Sequence, residues 1–503
     1  MTTATEGDPG APVPAPASSA RAGLKGLLVR GSLWVAVGYA GSQVVRLGGN
    51  LVLWRLLVPK AFGVMAIVNV LMTGLQMFSD VGIGPSIIQN KRGEDPTYLN
   101  TAWTIQVIRG FMLFAASAIV AAPFARFYDE PMLKAMIPLV GLGAALSGLN
   151  STALFTAVRQ VSLGRITLID LTSQATGLLV MIGGAYVYRN VWAIVAGGLV
   201  SNLVKLALGH LALPGVRNRL LWDGECARTL LSFGRWIFAS TLLTFAVGQS
   251  DRLIFGKIIP IELLGVYSIA TVWSSLPIAI LDRVFSSVLL PILSRLDHLG
   301  AEFEKAFREA RTPGLLFAGF MCSALISGAP SLIRFLYDQR ATDAVWIVQT
   351  LSVGTWLLAI ETTNSTALLA RGKASWMAIG SAGKLVGMVI AIPLGFYLGG
   401  FHGAVIGFSA SELLRYLTSV AGGLTIGLRG YRQDLALTGV MVGAAAIGIL
   451  VARGARGLLT SMALRHGRVE AFLEGLATLL VVSAVWWVVY RTHKARAERL
   501  RDR

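Results

Sequence analysis

The segment VPKAFGVMAIVNV (58–70) returns in the second half of the chain as IPIELLGVYSIATV (259–272), with one inserted residue. Gly63 of the first copy matches Gly265 of the second, and small or apolar residues follow both glycines at the same spacing. Such long-range self-similarity indicates that the chain contains two copies of one structural unit. Acidic or amide residues recur at two further matched positions, which are Asn50 and Asp80 in the first copy and Asp251 and Asp282 in the second.

The composition places these copies in a lipid bilayer. The chain has 503 residues, of which 54% are hydrophobic and only 14% are charged, whereas a soluble domain has about 25% charged residues. Apolar runs of 18 or more residues recur along the whole chain, and each is long enough to cross a bilayer. No run alternates with the period of a barrel strand, so the sequence predicts an all-α, polytopic integral membrane protein.

The spacing of the apolar runs predicts about fourteen transmembrane helices. Both copies of the repeat are expected to start on the same side of the membrane, as in transporters whose halves are related by an axis along the membrane normal. The predicted parts are a disordered cytoplasmic tail (1–25), a six-helix N-lobe (26–213), a cytoplasmic linker (214–231), a pseudo-symmetric six-helix C-lobe (232–428), and a C-terminal helix pair with a basic cytoplasmic tail (429–503).

Charge predicts the orientation of these helices. The net charge is +18, and in a membrane protein such an excess reflects basic cytoplasmic loops rather than nucleic-acid binding. Placing both termini in the cytoplasm puts most lysines and arginines on the inner side. One segment conflicts with this rule, because RGARGLLTSMALRHGR (453–468) carries four arginines on the outer side. Either these charges have a function, or the last two helices do not both span.

Several chemistries are not indicated. Cys226 and Cys322 lie far apart, and the five histidines are scattered without metal-ligand spacing, so no metal or cofactor is predicted. The chain contains no GxxxxGK[ST] phosphate-binding loop, which excludes this signature of ATP hydrolysis. Residues 1–20 have neither the basic start nor the apolar core of a secretory signal.

The predicted spans contain ten basic and six acidic residues. At about 2.5–3.5 kcal/mol each, ten lipid-facing cations would cost on the order of 30 kcal/mol, so most are expected to face a hydrated cavity, a partner charge or the interface. The excess of bases predicts a cavity that attracts an anion. The candidate substrate-binding residues are Arg46, Arg109, Lys205, Arg252, Arg283 and Lys384.

Three aspartates are candidates for a hinge or for ion coupling. Asp80 precedes two glycines and a proline in MFSDVGIGPSIIQ (77–89), a composition that bends or breaks a helix. A hinge whose carboxylate is anchored to a nearby cation is one interpretation, and a proton or sodium site is the other. Asp251 and Asp282 belong to the same class, and both also stand beside arginines with which a structural ion pair is possible.

Three strings in the first lobe resemble one known family. RLLVPKAFGVMAIV (55–68), MFSDVGIGPSIIQ (77–89) and LNTAWTIQVIRG (99–110) are similar to polysaccharide-export (Wzx-like) flippases of the multidrug/oligosaccharidyl-lipid/polysaccharide (MOP) exporter superfamily. The matched strings contain Asp80 and Arg109, whereas Arg46 and the cations of the second lobe rest on the burial argument alone.

The resemblance implies a flippase of the bacterial inner membrane rather than an enzyme. Its substrate would be an oligosaccharide linked to polyprenyl pyrophosphate, moved by alternating access through a cationic central cavity. Polysaccharide polymerase or export machinery is an expected partner, together with the lipid bilayer. The alternatives are a lipid II-type flippase, a cation-coupled multidrug exporter of the same superfamily and, as a different class, a membrane polymerase or ligase.

Overall fold

The computed structural model describes residues 17–160, 162–285, 289–295, 300–461 and 467–501. These residues form α-helices and short connections, with no β-strand among them, which confirms the all-α prediction. The helices of the first half are α1 Ala17–Leu56, α2 Pro59–Phe78, α3 Ile83–Gln89, α4 Pro96–Phe127, α5 Leu133–Gly148, α6 Ala153–Arg159, α7 Leu163–Tyr188 and α8 Trp192–Leu211. Those of the second half are α9 Gly224–Ile258, α10 Ile261–Ser274, α11 Leu276–Val284, α12 Leu290–Arg295, α13 Gly300–Leu336, α14 Ala344–Ala370, α15 Ser375–Thr425, α16 Tyr431–Ser461 and α17 Gly467–Arg501.

Many of these helices are suited to a membrane. Within the described ranges, nine are long and apolar enough to cross a bilayer, or up to eleven if each of two bent helix pairs counts as one span. The 51-residue helix α15 is itself two helices that meet at a kink, where Gly400 has a φ of 59°. The protein is therefore a multi-pass membrane protein, while the number fourteen stays a prediction.

The two copies of the repeat meet at their matched glycines. A Cβ atom on Gly63 would lie 1.9 Å from the carbonyl oxygen of Ile261, and one on Gly265 would lie 2.1 Å from that of Pro59. Only glycine permits backbones to approach this closely. Pro59 and Ile261 are separated by the same number of residues as the two glycines, so they are also matched positions of the repeat. Each glycine therefore contacts the matched residue of the other copy, and this reciprocity is what a two-fold axis requires. Helices α2 and α10 therefore cross on a pseudo-two-fold axis between the lobes.

A polar contact ties the lobes together beside this crossing. The Lys257 ammonium, at the end of α9, donates to the carbonyl oxygen of Phe127 at 2.6 Å and lies 3.2 Å from the carboxylate of Asp129. The Tyr128 hydroxyl donates to the carbonyl oxygen of Leu253 at 3.2 Å. The end of α9 in the C-lobe is thus bound to the turn between α4 and α5 in the N-lobe.

A second polar contact at the same end joins the end of α1 in the N-lobe to the turn after α13 in the C-lobe. Arg340, in the turn after α13, donates to the carbonyl oxygens of Leu57 and Trp54 at 3.1 and 3.0 Å. The Trp54 indole donates to Asp338 at 3.2 Å. Burial alone raises the pKa of Asp338, but hydrogen bonds from Arg340 and Trp54 outweigh burial and hold that pKa below its usual value. We call the end of the protein that carries both contacts and the glycine crossing the closed end.

Two helices begin earlier than the sequence analysis predicts. Helix α1 begins at Ala17, inside the tail predicted as disordered over 1–25. The alanines, leucines and lysine that follow the last proline of this tail favour a helix. Residues 1–16 lie outside the described part of the chain. Helix α9 begins at Gly224, inside the predicted linker, where the Asp223 carboxylate accepts from the backbone N–H of Cys226 at 2.8 Å and caps the helix.

A buried arginine anchors the C-terminal helices to the C-lobe. Arg311 of α13 is fully buried and donates to Asp434 of α16 at 2.6 Å and to the carbonyl oxygen of Gly430 at 2.8 Å. The same guanidinium donates to Asn364 of α14 at 3.0 Å and to Gln433 at 2.9 Å. With its hydrogen bonds supplied in this way, the charge holds α13, α14 and α16 in one arrangement.

The glycine crossing is testable by overpacking. Gly63→Val and Gly265→Val are each expected to destabilise the closed end by about 1–3 kcal/mol, because the added atoms meet backbone that cannot move aside locally. A cysteine introduced at Ser268, behind the crossing, should then react faster with a membrane-impermeant maleimide added on the closed side. Gly48→Val is the matched control, since a Cβ there meets no atom within 4 Å. Equal labelling of all three variants would contradict the assigned role of the crossing.

Candidate functional site

A cavity of about 430 Å³ lies directly behind the glycine crossing. Its walls include Ala66 and Val70 of α2 together with Ser268 and Val272 of α10, which are matched positions of the repeat. The cavity therefore lies on the pseudo-two-fold axis, where the two helices diverge from their contact. We call it the central cavity, and its polar lining residues are Asn50, Asn69, Thr73, Gln249, Arg252 and Ser268.

Helix α1 extends this lining away from the closed end. Tyr39, Gln43, Arg46 and Asn50 follow one another at intervals of four, three and four residues, which places them on one face of the helix. The Gln43 amide donates to the Tyr39 hydroxyl at 2.9 Å. Arg46 is exposed and stands one turn from Asn50, a lining residue of the central cavity. Arg46 therefore lies on the same face of α1 as this lining residue.

Two cations of the C-lobe face the same space. Arg252 lines the central cavity and donates to the side-chain oxygen of Gln249 at 3.0 Å. The guanidinium carbon of Arg283 lies 5.7 Å from the centre of the Tyr39 ring, so this pair joins the two lobes further from the closed end. Cations over aromatic faces are attracted electrostatically. Of the predicted cations, Arg252 thus lines the central cavity, Arg283 contacts Tyr39 of the other lobe, and Arg46 lies on the same face of α1 as Asn50.

Lys205 is matched by an acid of its own lobe. Its ammonium, on α8, lies 2.7 Å from the Asp170 carboxylate on α7, and both side chains are 37% exposed. Beside them, the Ser42 hydroxyl donates to Gln174 at 2.7 Å and joins α1 to α7. Lys205 is thus neutralised within the N-lobe.

Lys384 lies in the interior of the C-lobe, away from the central cavity. Its side chain is 7% exposed and forms an ion pair with Glu412. One turn further along α15, the Arg415 guanidinium lies 3.2 Å from the Glu361 carboxylate of α14. These four residues form a balanced set of charges that joins α14 to both halves of α15.

Arg109 and Asp80 lie at the break that ends α2. The Arg109 guanidinium donates to the Ser79 hydroxyl at 3.0 Å and to the carbonyl oxygen of Gln76 at 2.7 Å, and it lies 3.8 Å from Asp80. The Asp80 carboxylate accepts from the N–H of Gly82 at 3.0 Å, and Gly82 has a φ of 68°. The carboxylate and the cation thus hold the broken helix end, and both line a separate cavity of about 680 Å³.

The two aspartates of the second copy differ in surroundings. Asp251 is 4% exposed and accepts from the Tyr267 hydroxyl at 2.7 Å, while its other carboxylate oxygen has no hydrogen-bond partner. Asp282 is exposed near the end of α11, beyond a bend of 40° between α10 and α11. Within the described ranges, no group of three His, Cys, Asp or Glu side chains is placed to hold a metal ion.

The profile of one sequence family, described as polysaccharide biosynthesis protein, matches residues 52–346, which is more than half of the chain. The chain belongs to this family.

Individual family relatives are distant in sequence. The chain is 20% identical over 305 residues to the teichuronic acid biosynthesis protein TuaB of Bacillus subtilis (strain 168), covering 59% of this chain and 62% of that protein. It is 21% identical over 276 residues to the succinoglycan biosynthesis transport protein ExoT of Rhizobium meliloti (strain 1021), covering 55% and 54%. The match to the lipopolysaccharide biosynthesis protein WzxC of Escherichia coli (strain K12) is 20% identical and covers 78% and 80%. The chain thus spans little more than half the length of the first two relatives.

Solved structures share the fold. The lipid II flippase MurJ in an inward closed conformation superposes with a TM-score of 0.69 at 12% identity, over 92% of this chain and 99% of MurJ. An inward-facing multidrug resistance MATE family transporter of the MOP superfamily gives 0.56 at 12% identity, over 79% and 95%. At such low identity these likenesses show the fold of this family member and nothing further.

The neutral residues of the site are not among those predicted from the sequence. Asn69, Thr73 and Gln249 line the central cavity, but a search restricted to charges in the spans does not detect them. A usable signal is present, since Asn69 and Thr73 are four residues apart within the apolar middle of α2. From the sequence, Asn50 is identifiable only as a matched position of the repeat.

Variants of the buried ion pair between Lys384 and Glu412 distinguish a structural role of Lys384 from a substrate-binding role. Lys384→Met is expected to destabilise the protein by about 3–5 kcal/mol, because it leaves the Glu412 carboxylate buried without its partner. The double variant Lys384→Met/Glu412→Leu should recover most of that stability, measured as the thermal unfolding temperature in detergent, and should recover the activity of the protein as well. A double variant that is stable yet inactive would instead support direct substrate contact by Lys384.

Proposed function

We propose that this protein is a flippase that moves oligosaccharides linked to polyprenyl pyrophosphate across the bacterial inner membrane. It would work by alternating access, with the two lobes rocking about the crossing of α2 and α10. The observation that carries the proposal is the central cavity on the pseudo-two-fold axis, which is closed at one end and lined by Arg252 of the C-lobe, one turn of α1 from Arg46 of the N-lobe. Sites at the interface of structural repeats are where such transporters bind their substrates.

The cations between the lobes favour an anionic substrate. Lys205 and Lys384 have carboxylate partners, whereas Arg46 and Arg252 form no ion pair within the described part of the chain. Arginine binds phosphate oxygens through a planar fork of donors, which suits a pyrophosphate. We therefore assign the pyrophosphate to Arg46, Arg252 and Arg283. Arg109, Lys205 and Lys384 are assigned the positioning of helices.

The same charges disfavour the other transporters and enzymes considered. Organic cations, the substrates of multidrug exporters, would be repelled by a space with unpaired arginines. A lipid II-type flippase would also carry an anionic lipid, so this alternative differs from the proposal only in the sugar part of the substrate. A polymerase or ligase would need catalytic groups, and we assign none to the described residues around the cavity.

The energy for transport is proposed to come from the membrane. An anion leaving the cytoplasm is favoured by about 2.3 kcal/mol per charge for each 100 mV of potential. Coupling to protons or sodium would add to this term, and Asp251, buried with one free carboxylate oxygen, is the residue that we propose for it.

Asp80 and Asp282, near the helix break and the helix bend, are proposed hinge residues. Both termini are placed in the cytoplasm, and a polymerase or export complex is the proposed partner.

The proposal is tested in a strain that lacks this protein. Completed lipid-linked oligosaccharides should accumulate on the cytoplasmic face of the inner membrane, and the wild-type protein should release them. Arg46→Gln should slow release about tenfold or more, since one lost charge-assisted hydrogen bond accounts for roughly that factor. Arg308→Gln, a half-exposed arginine outside the cavity, is the matched control and should behave as wild type.

Two outcomes would contradict the proposal. Oligosaccharides that reach the periplasm without the protein, but are not polymerised, would indicate an enzyme. An unchanged lipid pool with altered sensitivity to cationic drugs would indicate an exporter.

A further inference from the structure

The polar lining of the central cavity combines neutral amides with one cation, Arg252. The amides are those of Asn50, Asn69 and Gln249, of which Gln249 accepts a hydrogen bond from Arg252, and we call them the amide tier. Away from the crossing, α1 carries Arg46 about 6 Å and Tyr39 about 16 Å beyond Asn50, at the helical rise of 1.5 Å per residue. We call Arg46, Arg252 and Arg283, the last of which lies over Tyr39, the cationic tier.

The side chains of the amide tier are available to a ligand. Neither Asn50 nor Asn69 forms a side-chain hydrogen bond among the described residues. Asn69 is exposed although it lies in the middle of the apolar helix α2. Because an unpaired amide is strongly unfavourable in hydrocarbon, this side chain must face water or a bound molecule. A cavity wall satisfies that requirement and a lipid-facing position does not.

The donors and acceptors of the amide side chains indicate which class of ligand they suit. An amide presents both a donor and an acceptor, as does a sugar hydroxyl, whereas an arginine or lysine only donates. The remaining walls are apolar, and Phe62 is held against Trp54 with 5.1 Å between ring centres. Apolar walls with a few placed hydrogen-bonding groups are typical of sites for small organic ligands. The volume of about 430 Å³ suits a sugar rather than a whole oligosaccharide.

We propose that the amide tier is a sugar subsite that reads the hydroxyl groups of the sugar nearest the pyrophosphate, while the cationic tier holds the pyrophosphate itself. This inference rests on the proposed function, and it makes Asn50 and Asn69 specificity-determining residues. The short distance along α1 between Arg46 and Asn50 matches the direct attachment of the first sugar to the pyrophosphate.

Binding to two lipid probes tests the division into tiers. The full-length protein in lipid nanodiscs is titrated with undecaprenyl pyrophosphate and with the lipid-linked oligosaccharide extracted from a strain lacking the protein. Wild type is expected to bind the glycosylated probe about tenfold more tightly. Asn50→Leu and Asn69→Leu should each remove most of that difference while leaving the affinity for undecaprenyl pyrophosphate within about twofold. Unchanged binding of the bare lipid also shows that a variant is folded.

Further variants distinguish the contributions of hydrogen bonding, side-chain shape and charge to the binding of the two probes. Asn69→Ser keeps a hydroxyl in place of the amide and should restore part of the preference for the glycosylated probe. Arg46→Gln should weaken the binding of both probes. Gln160→Leu, which replaces an exposed amide between α6 and α7, is the matched control and should change neither affinity.

The outcomes distinguish this inference from the proposed function. If the leucine variants weaken both probes equally, or leave the preference for the glycosylated probe intact, the sugar subsite is wrong while the flippase proposal stands. If wild type binds neither probe, the proposed function itself fails.

Discussion

The close contact of α2 with α10 at Gly63 and Gly265 is the constraint on which the rest of the structure depends. Two helices can cross at backbone distance only where neither carries a side chain, and the repeat supplies a glycine on each. The reciprocity of the contact fixes the pseudo-two-fold axis. It also determines where the helices diverge, and the central cavity occupies that wedge. The two polar contacts of the closed end add directional bonds beside an apolar crossing.

The charges of the membrane region divide according to their position relative to this axis. Several cations inside the lobes have a carboxylate close by, as in Lys205 with Asp170 and Lys384 with Glu412. Arg252 in the central cavity, and Arg46 on the face of α1 that carries Asn50, have no such partner among the described residues. A buried charge without a partner is costly, so unpaired arginines are tolerated where water or an anionic ligand reaches them. This division separates residues that hold the fold from residues proposed to bind substrate.

The sequence predicted the features that follow from local chemistry. The repeat in 58–70 and 259–272 indicated the paired lobes, and the glycines and proline after Asp80 predicted the break that ends α2. Lys384 could not be placed, because only tertiary packing decides which face of a helix meets Glu412. The anchoring role of Arg311 was missed because only tertiary packing brings this side chain against Asp434 of α16. The amides of the central cavity escaped attention because hydropathy and charge counts do not register neutral polar groups.

The most direct test of the account is whether the two ends of the lobes move in opposite directions. Spin labels at Lys134 and Asp343 report on the closed end, and labels at Lys91 and Lys373 report on the opposite end, all at exposed positions. Distances are measured by electron–electron double resonance in nanodiscs, with and without the lipid-linked oligosaccharide. Alternating access about the glycine crossing predicts that a longer distance at the closed end accompanies a shorter one at the opposite end. Distances that change in the same sense, or not at all, would contradict it.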